Sequence, residues 1–383
     1  MAKPFDICIR GSGIVGRTLA LHLAARQLRV ALVEAPVADG ACAETLAKDV
    51  RAFALNNASR QLLQDVRCWP AETDATPVTT MQVQADGTGQ VTFQAADQGA
   101  EALNWIVDVP ALQDQLAQAV KFQPFIEVCT TPPVASLTVV CEGRDSQSRE
   151  AFGIALDITP YGQSAIACRV RLATPHHQTA YQWCAGGDIL AFLPVGGADG
   201  SEFAVVWSVA TARAAELMHV SEAEFCTALG AASHQPTESL SLSGPRASWP
   251  LQHAQAQRWT GQGVQGAWVL AGDAAHTVHP LAGQGLNIGL ADVAELVRVL
   301  DAKPYWRNVG DPRLLRQYER ARKADFALMG QANDTLQQLL TRSNPTLHAL
   351  RNWGMNQFDK SGLMKQWVAS RAMGLADRLA KHP

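Results

Sequence analysis

The chain has 383 residues, of which 47% are hydrophobic and 17% charged, and its formal net charge is -3. This length exceeds one average domain and predicts two compact lobes with a sizeable buried core. The composition excludes a disordered or fibrous chain, and the lack of a basic excess argues against nucleic acid as a partner.

The eight cysteines form no C-x-x-C pair and have no zinc-type spacing, so we expect reduced thiols. The first residues, MAKPFDICIRGSG, enter a predicted strand at once and leave no room for a secretion signal. No stretch reaches the roughly 18 to 20 apolar residues that a membrane-spanning helix needs. These features predict a cytoplasmic protein, and they leave open only a peripheral contact with a membrane.

The opening of the chain predicts a βαβ unit. A strand at 5–9 leads through a glycine turn into a helix, and a second strand follows at 29–33. Val15, Leu19 and Leu23 share one face of that helix. We therefore expect this segment to start the first lobe.

Later segments alternate between the two predicted lobes. Residues 78–93 alternate like a β-hairpin around an Asp-Gly turn signal, and 110–120 begin with proline and continue as a helix of the first lobe. Short β-rich runs between 165 and 209 predict an antiparallel sheet that forms the floor of a substrate pocket. A strand at 267–271 and a helix at 286–300 return to the first lobe, and helices are predicted after that.

This alternation predicts an α/β protein whose lobes interleave along the chain, with no internal repeat. The predicted segments are 1–75, 106–160 and 250–335 for the first lobe, 76–105 and 161–249 for the sheet lobe, and 336–383 for a helical C-terminal region.

A glycine-rich loop, G-S-G-I-V-G, occupies 11–16 between the first predicted strand and helix, and Glu34 ends the next strand. In such a loop the first glycine makes a tight turn, the second lets backbone approach a pyrophosphate, and the third lets helix and strand pack closely. The helix start offers N–H groups to phosphate, and Glu34 would accept a ribose hydroxyl. The pattern predicts dinucleotide binding without separating NAD from FAD, and a tight turn without a ligand is the alternative.

A second segment separates these cofactors. Residues 269–296, VLAGDAAHTVHPLAGQGLNIGLADVAEL, resemble the flavin-ribityl motif of group A flavoprotein monooxygenases, and in detail that of the ubiquinone-biosynthesis hydroxylases. The resemblance implies that Asp273 accepts hydrogen bonds from the ribityl chain and that the backbone of 283–287 faces the pyrimidine end of the isoalloxazine. N–H groups at a helix start stabilise the negative charge of a reduced flavin. The alternative for Asp273 is a buried helix cap.

Residues 140–149, VCEGRDSQSR, resemble the middle motif of the same family, in which an Asp-Gly pair is followed by spaced Ser and Arg. Gly143, Ser146 and Arg149 match it. Glu142 stands where the family prefers Asp, and its extra methylene is expected to need room near the pyrophosphate and the path of the nicotinamide. We therefore expect an effect on flavin reduction. The alternative is a polar surface turn.

Two shorter matches lie at 49–55, DVRAFAL, with Ser59, and at Leu112-Gln113. The resemblance places Arg51 beside the flavin or diphosphate, where its guanidinium would bond oxygen atoms. It places Gln113 near the ribityl or phosphate groups. A solvated arginine at a helix start and an exposed helical glutamine are the alternatives.

The segments YGQSA, at 161–165, and LAFLP, at 190–194, resemble those that lead through the substrate sheet of the hydroxylases. From the residues alone, Phe192, Leu193 and Trp207 are interpreted as core rather than ligand contacts. The pair His276 and His279 lacks a cysteine or carboxylate cluster, and we predict no metal.

The resemblance implies a Rossmann-like FAD-binding domain interleaved with a smaller β-sheet substrate domain, as in p-hydroxybenzoate hydroxylase. The expected cofactor residues are Gly11, Gly13, Ile14, Val15, Gly16, Glu34, Arg51, Gln113, Val128, Gly143, Gly272, Asp273, Pro280, Gly283, Gly285, Leu286 and Asn287. Those expected nearest the isoalloxazine are Pro280, Gly283 and Gly285. No side chain is expected to be catalytic by itself, since the flavin carries the chemistry.

The implied activity is hydroxylation of an aromatic ring, with FAD as cofactor, NADPH or NADH as transient co-substrate, and dioxygen, through a flavin hydroperoxide. A lipid-tailed aromatic substrate, a polyprenylated phenol of ubiquinone biosynthesis, is the expected partner. A homodimer, a multi-subunit quinone-biosynthesis complex and peripheral contact with the inner membrane stay open. So do two other functions, a flavoprotein that reduces or halogenates and a weakened paralogue that serves as a binding subunit, although the W-x-W-x-I-P motif of halogenases is absent.

Two regions depart from the family pattern or extend it. The chain between 121 and 136 is shorter than the β-meander of the family, which predicts looser FAD or an edge that a partner covers. The residues after Thr335 mix leucine and tryptophan with Arg and Lys, and they predict helical packing or, alternatively, a membrane or partner surface.

Overall fold

The computed structural model describes residues 4–34, 49–85, 89–197, 199–235, 240–263, 266–278 and 285–341. Its strands are β1 (Phe5–Arg10), β2 (Val30–Val33), β3 (Ala52–Leu55), β4 (Ala75–Val78), β5 (Thr80–Ala85), β6 (Gln90–Gln94), β7 (Asn104–Asp108), β8 (Ile126–Cys129), β9 (Ala135–Val140), β10 (Leu156–Leu172), β11 (Thr179–Ala185), β12 (Asp188–Val195), β13 (Glu202–Ala210), β14 (Leu240–Leu242), β15 (Ala247–Ala256), β16 (Thr260–Gly263), β17 (Gly266–Leu270) and β18 (His276–Thr277). Its helices are α1 (Ile14–Ala24), α2 (Asn57–Asp65), α3 (Val109–Lys121), α4 (Gln147–Ala151), α5 (Thr211–His219), α6 (Glu222–Ser233), α7 (Gly285–Asp301) and α8 (Pro312–Thr341).

A six-stranded sheet forms the centre of the first lobe, in the order β16-β17-β9-β1-β2-β8. All of its strands are parallel except β16, which pairs antiparallel with β17. The apolar run Ile7-Cys8-Ile9 of β1 is wholly buried, as expected for a central strand covered on both faces. Helices α1, α3, α7 and α8 pack their apolar faces into the same core.

Helix boundaries follow from local capping chemistry. The Asp108 side chain accepts a hydrogen bond from the Ala111 amide at the start of α3, where Pro110 occupies the first turn. Ser221 and Glu224 form a reciprocal capping box at the start of α6. Such caps satisfy amide groups that have no partner inside the helix. Both helices therefore begin where the sequence provides a cap.

The second lobe contains a large sheet in the order β18-β15-β10-β13-β12-β11-β5-β6, with β14 also paired to β10. Its strands come from 80–94 and from the long stretch after 156, so the two lobes interleave along the chain. A smaller sheet, β3-β7-β4, packs its residues Ala54, Val78 and Ile106 against one face of the large sheet. The other face is covered by α5 and α6.

The interleaved α/β architecture is confirmed, and so is the hairpin, since β5 and β6 pair antiparallel. Its Asp86-Gly87 turn lies outside the described residues. The structure adds β11, which the sequence analysis did not predict and which pairs parallel with the distant β5. The predicted domain boundaries near 160 and 250 fall inside the continuous strands β10 and β15. The boundaries themselves stay predictions.

Candidate cofactor site

Four of the predicted cofactor segments begin where a strand of the six-stranded sheet ends, at its carboxyl edge. Gly11 follows β1, Glu34 follows β2, Cys141 follows β9 and Ala271 follows β17. Strand β1 lies between β2 and β9, so the chain leaves it in one direction and later returns on the other side. Ligands of open α/β sheets bind in the crevice at such a switch of strand order.

The glycine loop has the geometry that the sequence predicted. Gly11 adopts a φ of +106° at which a side chain would be strained, and an added Cβ would lie 2.4 Å from the Cys141 carbonyl oxygen. An added Cβ on Gly16 would lie 2.0 Å from the Gly11 carbonyl oxygen, whereas one on Gly13 would have no atom within 4 Å. No side chain caps α1, so its first amides point to the open side of the loop. This cradle fits a pyrophosphate.

Glu34 and Gln113 are brought together by Arg17 on α1. The Arg17 guanidinium donates to Glu34 Oε1 at 3.2 Å and to the backbone carbonyl of Gln113 at 3.3 Å. The Glu34 carboxylate stays about two-fifths exposed, at 43%. Its amide bonds to Cys129 of the edge strand β8, next to the exposed Val128. These groups form one end of the crevice.

Glu142 lies at the turn before α4 and is hydrogen-bonded within it. Its carboxylate accepts hydrogen bonds from Ser146 Oγ at 2.7 Å, Ser148 N at 2.9 Å and Ser148 Oγ at 2.5 Å. The carboxylate therefore organises the turn before α4. The expected effect on flavin reduction stays a prediction. Gly143, at φ +80°, shapes the same turn.

The middle motif is joined to the 272–276 segment by a buried arginine. Arg149 donates to the Arg144 carbonyl at 2.8 Å and to the Ala274 carbonyl at 3.4 Å. The alternative of a polar surface turn is therefore wrong for this residue, because its guanidinium is buried at the junction of two predicted cofactor segments.

Asp273 lies in a short 3-10 turn that begins at Gly272, whose φ is +63°. Solvent reaches the Asp273 side chain although many protein atoms surround it, and we interpret this combination as a position in a cleft. This burial raises the pKa of Asp273, and the charges of His276 and Arg144 partly offset the rise. A carboxylate in such a cleft needs a hydrogen-bond donor, which a ribityl hydroxyl would provide.

Arg51 lies directly before β3, not at a helix start. It forms a two-pronged ion pair with Asp49, and this hydrogen bonding raises the pKa of Arg51, with a further contribution from the charge of Asp273. The guanidinium is exposed. Arg51 thus lies near enough to Asp273 for their opposite charges to interact, although the two residues are far apart in the sequence.

Asn287 connects two of the predicted segments. Its Oδ1 accepts from the Asn56 amide at 3.0 Å and from Ser59 Oγ at 2.7 Å, and its Nδ2 donates to the Ala54 carbonyl at 2.7 Å. The side chain therefore fixes the junction of β3 and α2 against the first turn of α7. Gly285 begins α7, and an added Cβ there would have no atom within 4 Å.

Three predicted residues cannot be compared with the structure, because Pro280, Gly283 and His279 lie outside the described residues. Leu286 is buried in the core of the first lobe, and Ile14 is buried beside it. Val15 is partly buried against the same core. For these apolar residues only backbone groups remain available to a ligand.

Sequence reasoning missed Asp292 and Arg322. Asp292 is buried and accepts from His276 Nε2 at 2.7 Å, so His276 is held by a carboxylate. Within the described residues no group of three His, Cys, Asp or Glu side chains has the arrangement of a metal site. The i, i+16 spacing of His276 and Asp292 has no local signature that could have revealed the pair.

Phe192 and Trp207 belong to the core under α5 and α6, as interpreted, whereas Leu193 faces the small sheet. Helices that could cross a membrane were not found in the described stretches.

The sequence profile described as "FAD binding domain" matches residues 133–331, more than half of the chain. The chain belongs to this family of FAD-binding proteins, and FAD is its cofactor.

Named relatives define the class of enzyme further. The chain is 29% identical to the 3-demethoxyubiquinol 3-hydroxylase of Escherichia coli K12, over 97% of this chain and 99% of that protein. It is 27% identical to the ubiquinone hydroxylase UbiL of Rhodospirillum rubrum, over 97% and 90%. The p-nitrophenol 4-monooxygenase PnpA of Pseudomonas putida has the same fold, with a TM-score of 0.75 at 16% identity over 97% of this chain and 99% of that one. The chain is an FAD-dependent aromatic hydroxylase, and the two other functions considered above are not favoured.

Proposed function

We propose that the chain hydroxylates the aromatic ring of a polyprenylated phenol in ubiquinone biosynthesis, with NADPH or NADH as reductant and dioxygen as oxidant. The observation that carries this proposal is that three distant loops, at 11–16, 142–149 and 272–276, meet at the carboxyl edge of the six-stranded sheet, where the large sheet pairs with the end of the last loop. The names of the two near-full-length relatives support ubiquinone precursors as the substrate class.

We assign the FAD contacts along this cleft. The adenosine end would lie near Glu34 and Val128, and the pyrophosphate at the amides of 11–16 with Gly143 beside them. Asp273 would accept from the ribityl hydroxyls. The N-terminal amides of α7, from Gly285, would face the ring and stabilise negative charge there. Bound FAD supplies the electron transfer and oxygen activation, and the chain's residues bind, orient and exclude water.

We propose two further contacts with FAD, one from Gln113 and one from Arg51. Gln113 has its backbone held by Arg17 and its side chain free to turn toward phosphate or ribityl oxygen atoms. Arg51 would bond the diphosphate or a flavin carbonyl, since its position beside Asp273 places a cation at the same cleft. A residue with this charge would also attract the phosphates of an approaching nicotinamide cofactor.

The substrate floor is proposed from the register of the large sheet. Ala191, Val206, Ala167 and Ala247 form one row across β12, β13, β10 and β15 and share a face. Ala191, Val206 and Ala247 are only partly buried, and all four side chains are small and apolar. A flat apolar row leaves room for an aromatic ring to lie against it. The next position of β10 on this face is Arg169, which bonds the carbonyls of Val50 and Arg51.

A polyprenyl tail partitions into lipid, and we therefore propose peripheral contact with a membrane or with a quinone-biosynthesis complex that presents the substrate. The sequence analysis considered the residues after Thr335 for this contact, and 342–383 of this stretch lie outside the described residues. Sedimentation of the full chain with anionic vesicles measures membrane contact, and light scattering measures whether a homodimer forms.

The activity is tested with purified protein. It should carry a flavin absorption spectrum and should oxidise NADPH or NADH faster when a prenylated phenol is present, with a hydroxylated ring as product. Expression in strains that each lack one ubiquinone hydroxylase, followed by quinone profiling, reports the carbon that is hydroxylated. A failure to restore ubiquinone in every such strain would contradict the proposed substrate.

The FAD contacts are tested separately. Asp273→Ala should lose flavin while circular dichroism shows an unchanged fold, because the ribityl chain loses an acceptor in the cleft. A flavin content equal to that of the unaltered protein would refute the role assigned to Asp273.

A further inference from the structure

A buried group of charges lies directly behind the turn that carries Asp273. Asp292, on α7, has no exposed surface. Its carboxylate accepts from the Gly272 amide at 2.8 Å, from His276 Nε2 at 2.7 Å and from Arg322 Nε at 2.7 Å. One carboxylate thus bonds both ends of the 272–276 segment and one cation of α8.

The partners of Asp292 are themselves fixed. Arg322 also donates to the Ile288 carbonyl at 3.3 Å and to Asp325 at 2.8 Å. The His276 ring contacts two aromatic rings, Trp259 at a centroid distance of 4.8 Å and Phe326 at 4.9 Å. Neither Arg322 nor His276 can therefore move away from the carboxylate without disrupting packed groups.

The ionisation of Asp292 follows from these contacts. Burial acts to raise the pKa of Asp292, but the charges and hydrogen bonds of His276 and Arg322 outweigh it, so its pKa lies below the ordinary value. A buried charge is costly unless it is paired and hydrogen-bonded, and a pair that served only packing would be replaceable by apolar side chains. The bond to the Gly272 amide gives this carboxylate a role that an apolar residue could not fill.

We propose that Asp292 is a positioning residue of the flavin site: it holds the Gly272 amide and His276, and so fixes the turn that aims Asp273, while Arg322 holds Asp292. This inference rests on the proposed role of Asp273 toward FAD. Asp292 itself does not reach the cleft, so it acts through the turn. A turn that is held in advance binds the cofactor without first losing conformational freedom.

A matched control exists on the same helix as Arg322. Glu319 also accepts three hydrogen bonds or ion pairs, from the Trp259 amide at 3.0 Å, from Thr260 Oγ1 at 2.8 Å and from Lys323 at 2.8 Å. It fixes the start of β16, and its hydrogen bonds go to residues 259 and 260 rather than to the 272–276 turn. Glu319→Gln should therefore lower the stability of the protein without a specific effect on the cofactor.

The experiment compares the variants Asp292→Asn and Glu319→Gln of the full chain. Each protein is freed of flavin and then titrated with FAD at a temperature where its apoprotein is folded. The Kd is followed by flavin fluorescence, and the visible circular dichroism of the bound flavin is recorded at saturation. We expect the Kd of Asp292→Asn to rise about 10-fold to 100-fold, the range set by loss of hydrogen bonds to a charged group. We expect Glu319→Gln to change it less than about twofold and to leave the visible dichroism unchanged.

Arg322 provides a second pair of variants in case Asp292→Asn does not fold. Arg322→Gln removes the cation that holds Asp292 and should weaken FAD binding in the same direction, and Arg322→Lys should restore part of the affinity because it keeps the charge. Neither substitution touches the cleft.

The outcomes separate the two levels of inference. A Kd and a flavin dichroism in Asp292→Asn and Arg322→Gln equal to those of Glu319→Gln would overturn the positioning role. Unaltered protein that takes up no FAD would instead contradict the proposed function. Normal FAD binding by Asp273→Ala together with weak binding by Asp292→Asn would show that the turn does not act through Asp273, and it would also overturn the positioning role of Asp292.

Discussion

Asn287→Ala should destabilise the protein through the junction of β3 and α2. The substitution removes three hydrogen bonds at once, since the side chain accepts from Asn56 N and Ser59 Oγ and donates to the Ala54 carbonyl. Each is worth about 1 to 1.5 kcal/mol, and the site is buried, so the loss amounts to about 3 to 4.5 kcal/mol. For a chain of this size this corresponds to a fall in Tm of about 4 to 6 °C.

A double-mutant cycle with Ser59 tests the assignment of this energy. Ser59→Ala alone should cost about 1 kcal/mol, and it should cost nearly nothing once Asn287 is alanine, because its hydroxyl then has no amide acceptor. Urea unfolding of the apoprotein, followed by circular dichroism, measures each free energy of unfolding. Costs that add to within about 0.3 kcal/mol would show that the two side chains do not act through the bond seen between them.

Other perturbations probe the cradle, the cleft and the connection between the lobes. Gly16→Ala should fold poorly because its Cβ would lie 2.0 Å from a carbonyl oxygen. Gly13→Ala has open space for its Cβ, so it should keep the stability of the apoprotein and lose FAD affinity. Thermal melts with and without FAD measure both effects. The pKa of Asp273 is raised in the folded apoprotein, so the folded state holds its proton to higher pH, and the stability should fall as pH rises from about 4. Asp273→Asn should therefore stabilise the apoprotein at neutral pH but not in acid. Equal melting temperatures of the two proteins at pH 7 would contradict this. Arg169→Leu should raise the KM for the phenol and increase peroxide release, because the loop at Val50 and Arg51 loses the hydrogen bonds that its carbonyls accept from Arg169. Arg171 lies on the same strand and forms only a surface ion pair with Glu202, so Arg171→Leu should have neither effect.

The cofactor loops could be predicted because their determinants are local. The glycine loop needs only a strand, a turn and a helix in sequence, and its conformational demands at Gly11 and Gly16 are visible as glycines. The same holds for α3, whose start is set by Asp108 and Pro110. Such segments carry their structure in adjacent residues.

Features that depend on distant pairing were not predictable in this way. Strand β11 pairs parallel with β5, which lies far earlier in the chain. The pattern of polar and apolar residues in β11 does not indicate which strand it pairs with. The hydrogen bonds of Glu142 come from serines that the turn brings back to it, and the motif alone did not predict them. Phe192 and Leu193 show the opposite case, since strand alternation alone places them on different faces.

Helix α7 connects the cofactor segments through contacts that its sequence pattern does not predict. Asn287 bonds the β3–α2 junction, which follows Arg51, and Asp292 bonds the turn before Asp273. Between them, Gly289 lets the helix approach α1 so closely that an added Cβ would lie 2.9 Å from a methyl group of Val15. The leucine and valine periodicity of α7 reports only that it is buried. Because one rigid helix contacts three loops from different parts of the chain, a shift of α7 would move all three, and the geometry of the cleft depends on residues that no ligand touches.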